Sequence, residues 1–133
     1  MWFRHVAPAA VIASCSLACE TVEGVGEVSV DQLAALLESP TPPAVFDVNG
    51  AKVRQEYGVI PGATLLTEAG GYDPSLLPAD KAKPLIFYCS SSWCSASTTA
   101  AKRARDTGYT NVSVLPAGIK GWREAGKSTE PAS

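Results

Sequence analysis

The sequence predicts an α/β domain built on an open, mostly parallel β-sheet with helices on both faces. Apolar segments typical of buried strands alternate along the chain with helical patterns, which favours a parallel sheet joined by right-handed crossovers. The clearest strand, PLIFY (84–88), is apolar throughout, as expected of a strand covered on both faces. With 133 residues, 46% of them apolar and 18% charged, the chain can form one domain with its own core.

A capped helix and a buried strand are predicted at the start of this domain. Ser29 and Gln32 form a capping-box pattern before a leucine-rich face, which predicts a short amphipathic helix that ends before Pro40. The run AVFDV (44–48) is typical of a buried strand, and the dipeptide Asn49-Gly50 after it indicates a turn.

A second helix and a further strand follow. The segment AKVRQEY (51–57) predicts a helix stopped by Gly58, and ATLL (63–66) predicts a strand. The segment 68–83 is rich in glycine and proline, which predicts a loop with one helical turn near Leu76.

The elements after the central strand are a longer helix, a strand and a last short helix. Ser95 is a candidate N-cap for a helix over 95–107, which has alanines on its packing side and is closed by Gly108. The run NVSVL (111–115) predicts a strand, and GIKGWREAG (118–126) predicts a short helix after a turn.

The N-terminal segment has the layout of a bacterial export signal. Arg4 precedes an apolar run that ends in small residues and is too short to span a bilayer. The tetrad Ile12-Ala13-Ser14-Cys15 resembles a lipobox, which predicts a signal peptide over 1–14 and a lipid on Cys15. Cys19 is the alternative site because a signal of fourteen residues would be short, and an ordinary apolar segment is the other interpretation.

The remaining boundaries and the location follow from this interpretation. We expect a tether over 15–27, the folded domain over 28–127 and a C-terminal tail over 128–133. The domain would lie in the periplasm, held at the membrane by its lipid, and Ser16 after the cysteine favours the outer membrane. The single histidine, His5, would leave with the signal, which excludes histidine-dependent catalysis and histidine-ligated metals from the mature protein.

The charge pattern gives no indication of nucleic-acid binding. The formal net charge is −2, and the one basic cluster, at Lys102, Arg103 and Arg105, is expected to be a solvated helix face. We therefore expect no nucleic-acid partner.

The loop between the central strand and the longer helix is the candidate site. Cys89 lies where the strand ends and Cys94 lies just before the helix, at the edge of the sheet where parallel α/β folds form their sites. Without a histidine, the loop amides and the positive end of the helix that begins near Ser95 would have to stabilise a Cys89 thiolate. Small residues would let the loop curl around an anionic sulfur or a small oxyanion; they are Ser90, Ser91 and Ser92.

Several segments, taken in their order and spacing, resemble the single-domain rhodaneses over residues 28–126. The most specific are Asp47 at a strand end, Ile60-Pro61-Gly62-Ala63, Tyr88-Cys89, and Gly118–Gly126 with Trp122. The resemblance implies a rhodanese-like open sheet and a sulfurtransferase. Cys89 would take a sulfur atom from a small sulfane donor, hold it as a persulfide and pass it to cyanide or to a thiol acceptor such as a protein thiol.

The resemblance also implies the residues that bind substrate. The backbone amides of residues 90–95 would carry the negative charge, with substrate contacts from Ser90, Ser91, Ser92, Trp93 and Ser95. No cofactor and no metal ion are expected.

The loop departs from the family pattern at its charged positions. Cys94 stands where the family has an arginine, Asn49 replaces the arginine common after the Asp-Val pair, and Val59 replaces a histidine. Because the cation that would hold a sulfonate-like donor is missing, the sequence does not favour thiosulfate. The same loss disfavours the related phosphatase and arsenate-reductase chemistry.

Other residues near the site have structural interpretations beside the functional ones. Cys89 could be a small buried apolar residue, and Trp93 could form a pocket wall or a rim. We expect Asp47 to tie the strand end to the loop, Arg54 to pair with a carboxylate at the surface and Trp122 to serve packing.

Cys94 has a role of its own in these expectations, and two further functions stay open. Cys94 is expected to react with Cys89, by forming a disulfide or accepting its sulfur, unless the loop holds its side chain away. The two thiols could instead serve a dithiol oxidoreductase or bind Cu(I) in a non-catalytic module.

Overall fold

Five parallel strands form a single sheet in the computed structural model, which describes residues 24–132. The strand order is β1-β5-β4-β2-β3, so β4 lies at the centre between β5 and β2. The strands are β1 (Val25–Glu27), β2 (Ala44–Asp47), β3 (Thr64–Leu65), β4 (Leu85–Tyr88) and β5 (Val112–Val114). The helices are α1 (Val30–Leu37), α2 (Ala51–Tyr57), α3 (Ala96–Asp106) and α4 (Gly118–Glu124), with a 3-10 turn at Pro74–Leu76.

The core lies on both faces of the sheet, as the sequence predicts. Helix α3 covers one face, where it packs against the side of β4 that carries Leu85 and Phe87. Helices α1, α2 and α4 cover the other face, which carries Ile86 and Tyr88 of the same strand. Because successive strand residues point to opposite faces, a strand covered on both sides must be apolar throughout.

The two predicted helix caps have different outcomes. The capping box of α1 is confirmed: Ser29 Oγ accepts the Gln32 amide at 3.1 Å, and Gln32 Oε1 accepts the Ser29 amide at 2.8 Å. Ser95 does occupy the cap position of α3, but its side chain makes no capping hydrogen bond. Its carbonyl accepts the Thr99 amide at 3.1 Å, so the helix begins there without help from the hydroxyl.

The predicted tether has to be corrected at its C-terminal end. Strand β1 lies within 15–27, and it pairs with β5 along its whole length, with Val25 opposite Val112. The Val28 amide extends this pairing by donating to the Val114 carbonyl at 2.9 Å. Three residues that include a glycine carry no apolar pattern, so the partner strand rather than its own sequence makes this segment a strand.

The predicted C-terminal tail is also held against the domain in its first half. The indole Nε1 of Trp122 donates to the Ser128 carbonyl at 2.8 Å. Val59 and Glu130 exchange two backbone hydrogen bonds, each 2.8 Å long. Gly58 allows this approach, because a Cβ at that residue would lie 2.8 Å from the Glu130 carbonyl oxygen. Trp122 thus packs in the core, as expected, and also anchors the tail.

The predicted signal peptide and the candidate lipidation sites at Cys15 and Cys19 lie outside the described residues. Between residues 24 and 132, no helix combines the length and the apolar character needed to cross a membrane.

Candidate active site

Cys89 follows the carboxyl end of the central strand β4 and begins the loop that leads to α3. Its surface is only 1% exposed. The strand ends of β2 and β5 flank it, since β4 pairs with both. The candidate nucleophile therefore occupies the edge of the sheet that the sequence indicates, in a largely buried position.

The structure joins Cys89 to Cys94 through a disulfide bond, with 6.3 Å between their Cα atoms. Such a separation lies inside the range that a disulfide requires. Cys94 is half-buried and lies in an exposed part of the loop, whereas Cys89 is enclosed. Of the two reactions expected for Cys94, the disulfide is the one present in the structure.

Some of the loop amides expected to bind an anion have partners within the loop itself. The Cys94 amide donates to the Ser91 carbonyl at 3.0 Å, and the Trp93 amide lies 3.4 Å from Ser91 Oγ. Two of the six amides assigned to substrate are thus used within the loop. Among the side chains, those of Ser90 and Ser91 are half-buried, and those of Ser92 and Ser95 are exposed.

Trp93 is the most exposed large apolar residue of the described chain, at 93%. An indole with almost no protein contact cannot form a pocket wall. Of the two interpretations from the sequence, only a rim position fits the structure.

Backbone hydrogen bonds from helix α4 hold the beginning of the loop in place. The amide of Ile119 donates to the Cys89 carbonyl at 2.9 Å, and the amide of Lys120 donates to the Ser90 carbonyl at 3.0 Å. Gly118 permits this contact: its φ is +66°, and a Cβ there would lie 2.5 Å from the Ser90 carbonyl carbon and oxygen. The glycine in this segment is thus required by the close approach of two backbones.

Ser97 also belongs to the site and is not among the residues predicted from the sequence. Its side chain is buried, and its Oγ lies 3.6 Å from Cys89 Sγ, within hydrogen-bonding distance for sulfur. A disulfide sulfur has no hydrogen, so in this state only the serine hydroxyl can donate. A signal was present in the sequence, because Ser97 precedes the buried Ala100, Ala101 and Ala104 at helical spacing and hence shares their packing face.

Asp47 ties β2 to its surroundings through a buried network. Its Oδ1 accepts from the Asn49 amide at 2.8 Å and from Arg54 Nε at 2.9 Å, and its Oδ2 accepts from the Tyr88 hydroxyl. The carboxylate is fully buried, so these donors replace its lost hydration. The structural role expected for Asp47 agrees with this geometry.

The expected pairing of Arg54 with a carboxylate is confirmed, but its expected position at the surface is wrong. Its side chain is only 10% exposed, and besides the Asp47 carboxylate it binds the Asp47 and Leu66 carbonyls at 2.9 and 2.7 Å. The guanidinium has five donors in a rigid fork, which suits it to a buried position where three acceptors converge. Arg54 therefore joins the ends of β2 and β3 rather than facing substrate.

Tyr88 completes the network one residue before Cys89. Its hydroxyl oxygen accepts the Ile60 amide at 3.0 Å while its hydrogen goes to Asp47. Burial raises the pKa of Tyr88 strongly, and the Asp47 carboxylate raises it further. The phenol consequently stays protonated and acts as a fixed link between β4 and β2.

The reactive part of the site is limited to the two sulfur atoms and their neighbours. Across residues 24–132, no cluster of three or more His, Cys, Asp or Glu side chains could hold a metal ion. Asn49 is buried, and both its amide groups are directed at Asp47 rather than at the loop. The arrangement can therefore carry out thiol, disulfide and persulfide chemistry.

Comparison with known proteins gives a family and a fold. The family model of the rhodanese-like domain matches residues 29–125. No curated protein sequence matches the chain at a significant level.

Solved structures give the same fold. The human single-domain sulfurtransferase is 25% identical, with a TM-score of 0.59, over 76% of this chain and 97% of its own. A single-domain sulfurtransferase of Saccharomyces cerevisiae is 25% identical, with a TM-score of 0.61, over 80% and 95%. A protein of unknown function from Rhodopseudomonas palustris, described as a possible tyrosine phosphatase, is 24% identical, with a TM-score of 0.66, over 80% and 86%. With the parallel five-stranded sheet and the match over most of its length, the chain belongs to the rhodanese-like domain family.

Proposed function

We propose that this protein is a sulfurtransferase that carries a sulfane sulfur on Cys89 and delivers it to a thiol acceptor. The observation that carries the proposal is the position of Cys89, at the end of the central strand between the N-terminus of α3 and the α4 backbone. Membership of the rhodanese-like family and similarity to two single-domain sulfurtransferases support it.

The reaction needs the reduced form of the site. The Cys89 thiolate attacks the outer sulfur of a persulfide donor, R–S–SH, forms Cys89–S–SH and releases R–S⁻, while the hydrogen stays on the transferred sulfur. An acceptor thiolate then attacks the outer sulfur of the Cys89 persulfide, and Cys89 leaves again as thiolate. No net oxidation occurs, because one S–S bond breaks for each that forms.

The donor is expected to be an organic persulfide or a polysulfide rather than thiosulfate. Cys94 stands at the loop position where the family has an arginine, so no guanidinium is available there for a sulfonate group. The same substitution argues against a phosphatase, whose substrate carries two negative charges.

A dithiol oxidoreductase is the second candidate, and the Cys89–Cys94 disulfide favours it. In that function the disulfide would accept two electrons from one dithiol and yield them to another acceptor, with no sulfane sulfur involved. The two candidates differ in whether a sulfur atom is added to the protein.

The test is sulfur transfer from glutathione persulfide to a thiol acceptor, followed as labelled sulfur in the acceptor. The reduced protein is expected to transfer sulfur over several turnovers, the oxidised protein to show a lag while thiols open its disulfide, and Cys89→Ser to be inactive. Transfer by Cys89→Ser at the wild-type rate would contradict the proposal. Oxidoreductase activity without labelled transfer would favour the second candidate.

We also propose that the domain is held at the outer membrane, on its periplasmic side, by a lipid on Cys15. The support is the lipobox-like tetrad that ends at Cys15. In detergent partitioning, the native protein is expected in the detergent phase and Cys15→Ala in the aqueous phase. Equal partitioning would contradict this assignment and move the test to Cys19.

A further inference from the structure

We infer that an external thiol opens the disulfide by attacking the sulfur of Cys94, and that Ser97 is a positioning residue that holds Cys89 as the departing thiolate. The inference deepens the proposed function and rests on it, since it names how the resting disulfide is converted to the sulfur-carrying form. It also names the chemical class of the activating partner, a dithiol.

Accessibility decides which sulfur is attacked. Thiol–disulfide exchange requires the incoming thiolate to reach the attacked sulfur on the side away from the bond that breaks. In the disulfide form Cys89 is only 1% exposed, so its sulfur is closed to a partner. Cys94 is half-buried, and its chain neighbours Trp93 and Ser95 are both exposed.

The sulfur that leaves when Cys94 is attacked is that of Cys89, and its surroundings stabilise it as a thiolate. Exchange is faster when the departing sulfur is better stabilised as thiolate. Ser97 Oγ lies 3.6 Å from Cys89 Sγ and can donate a hydrogen bond to it, and both lie at the N-terminus of the 11-residue helix α3. Ser97 has no hydrogen bond from its hydroxyl to other described residues, which leaves the hydroxyl available to sulfur.

The electrons and atoms balance with a dithiol as the reductant. The first thiolate, R–S⁻, forms an S–S bond with Cys94 while the Cys89–Cys94 bond breaks and Cys89 leaves with the electron pair. The second thiolate of the dithiol then attacks the partner's own sulfur in this mixed disulfide. Cys94 departs as a thiolate, the partner closes to a disulfide, and two electrons have passed to the protein. Cys89 is then free to accept a sulfane sulfur.

The first test identifies the attacked sulfur. The oxidised protein is mixed briefly with N-acetylcysteine, quenched with acid and alkylated with N-ethylmaleimide, and fragment masses between Ser91 and Trp93 locate both groups. The expected product carries N-acetylcysteine on Cys94 and maleimide on Cys89. N-acetylcysteine mainly on Cys89, or an even distribution between the two cysteines, would overturn the inference.

The second test isolates Ser97. In a reduced Cys94→Ala background, the pH midpoint for alkylation of Cys89 is expected to rise by about one unit with Ser97→Ala, since a hydrogen bond to a charged group is lost. Ser97→Thr, which keeps the hydroxyl, should restore the midpoint. Thr98→Ala is the matched control, because it removes the adjacent hydroxyl of the same helix and should leave the midpoint unchanged.

An unchanged midpoint in a folded Ser97→Ala protein would overturn the role of Ser97. A midpoint raised equally by Thr98→Ala would also overturn it, because the effect would then belong to the helix and not to the contact. Neither test uses a sulfane donor, so both can still be interpreted if the sulfur-transfer assay fails.

Discussion

Tyr88, the residue before the candidate nucleophile Cys89, donates its hydroxyl hydrogen to the buried carboxylate of Asp47. The bond joins the carboxyl ends of β4 and β2, which also pair directly through Asp47 and Tyr88 in the sheet. Since Arg54 and the Asn49 amide bind the same carboxylate, the sheet edge below Cys89 is held by one connected polar network. Rigid support of this kind is what a loop nucleophile needs to keep its direction.

Removal of the Tyr88 hydroxyl is expected to destabilise the protein. Tyr88→Phe takes one donor from Asp47 and leaves the buried Ile60 amide without an acceptor, which should cost about 1–3 kcal/mol in the free energy of unfolding. Urea unfolding measures this. Tyr57→Phe is the control, because Tyr57 is only half-buried and the loss of its hydroxyl should cost little. Equal effects of the two substitutions would contradict the importance of the network.

Removal of the Arg54 guanidinium is expected to cost more. Arg54→Ala leaves the fully buried Asp47 carboxylate without its counter-charge, and loss of one partner from a buried pair typically costs about 3–5 kcal/mol. The surface pair between Lys127 and Asp31, at 3.6 Å with Asp31 90% exposed, is the control. Lys127→Ala should change the free energy of unfolding by less than about 1 kcal/mol. A cost for Arg54→Ala in that small range would show that the pair contributes little.

Gly118 and Gly126 have similar positive φ angles, so substituting each of them distinguishes the cost of backbone strain from the effect of a steric contact. Gly118→Ala and Gly126→Ala both introduce a side chain at positive φ, at +66° and +81°, which costs about 1 kcal/mol. Only a Cβ at Gly118 meets the Ser90 backbone, whereas Gly126 faces open space. Gly118→Ala should therefore also alter the alkylation rate of reduced Cys89, and Gly126→Ala should not. The same rate in both variants would contradict the support of the loop by α4.

Stability is expected to fall at high pH through the buried tyrosines. Burial raises the pKa of Tyr72 from 10.0 to about 12, an effect that the Arg103 guanidinium only partly offsets. Between pH 10 and 12 the unfolded chain loses this proton while the folded protein keeps it, so the stabilisation present below pH 10 is lost as the pH rises. Tyr72→Phe should flatten the decline measured by urea unfolding across this range. Parallel declines in both proteins would contradict the assignment.

Much of the fold could be predicted because its elements carry local signals. The run PLIFY predicts a strand covered on both faces, and the capping residues of α1 locate its first turn; both agree with the structure. Strand β1 could not be predicted, since the three residues Val25–Glu27 have no pattern of their own and depend on pairing with β5.

The site could be predicted in position but not in geometry. The spacing of Cys89 and Cys94 gives a loop that can close, yet only coordinates give the direction of the side chains. A charged residue on a short helix usually faces water, which predicts a surface position for Arg54, whereas two acceptors on Asp47 and the carbonyl of Leu66, just after β3, bind it in the interior. Ser97 could have been found from its helical spacing to the buried alanines.

The most direct test of sulfur carriage is the intact mass of the protein after one exposure to a sulfane donor. Reduced protein with the single substitution Cys94→Ala is mixed with glutathione persulfide, freed of excess donor and weighed by mass spectrometry. We predict a gain of one sulfur atom on the peptide that contains Cys89, located by fragmentation and removed by dithiothreitol, and no gain on the same peptide of the Cys89→Ser, Cys94→Ala protein. A folded Cys94→Ala protein that gains no sulfur, or gains it equally without Cys89, would contradict sulfur transfer through a Cys89 persulfide.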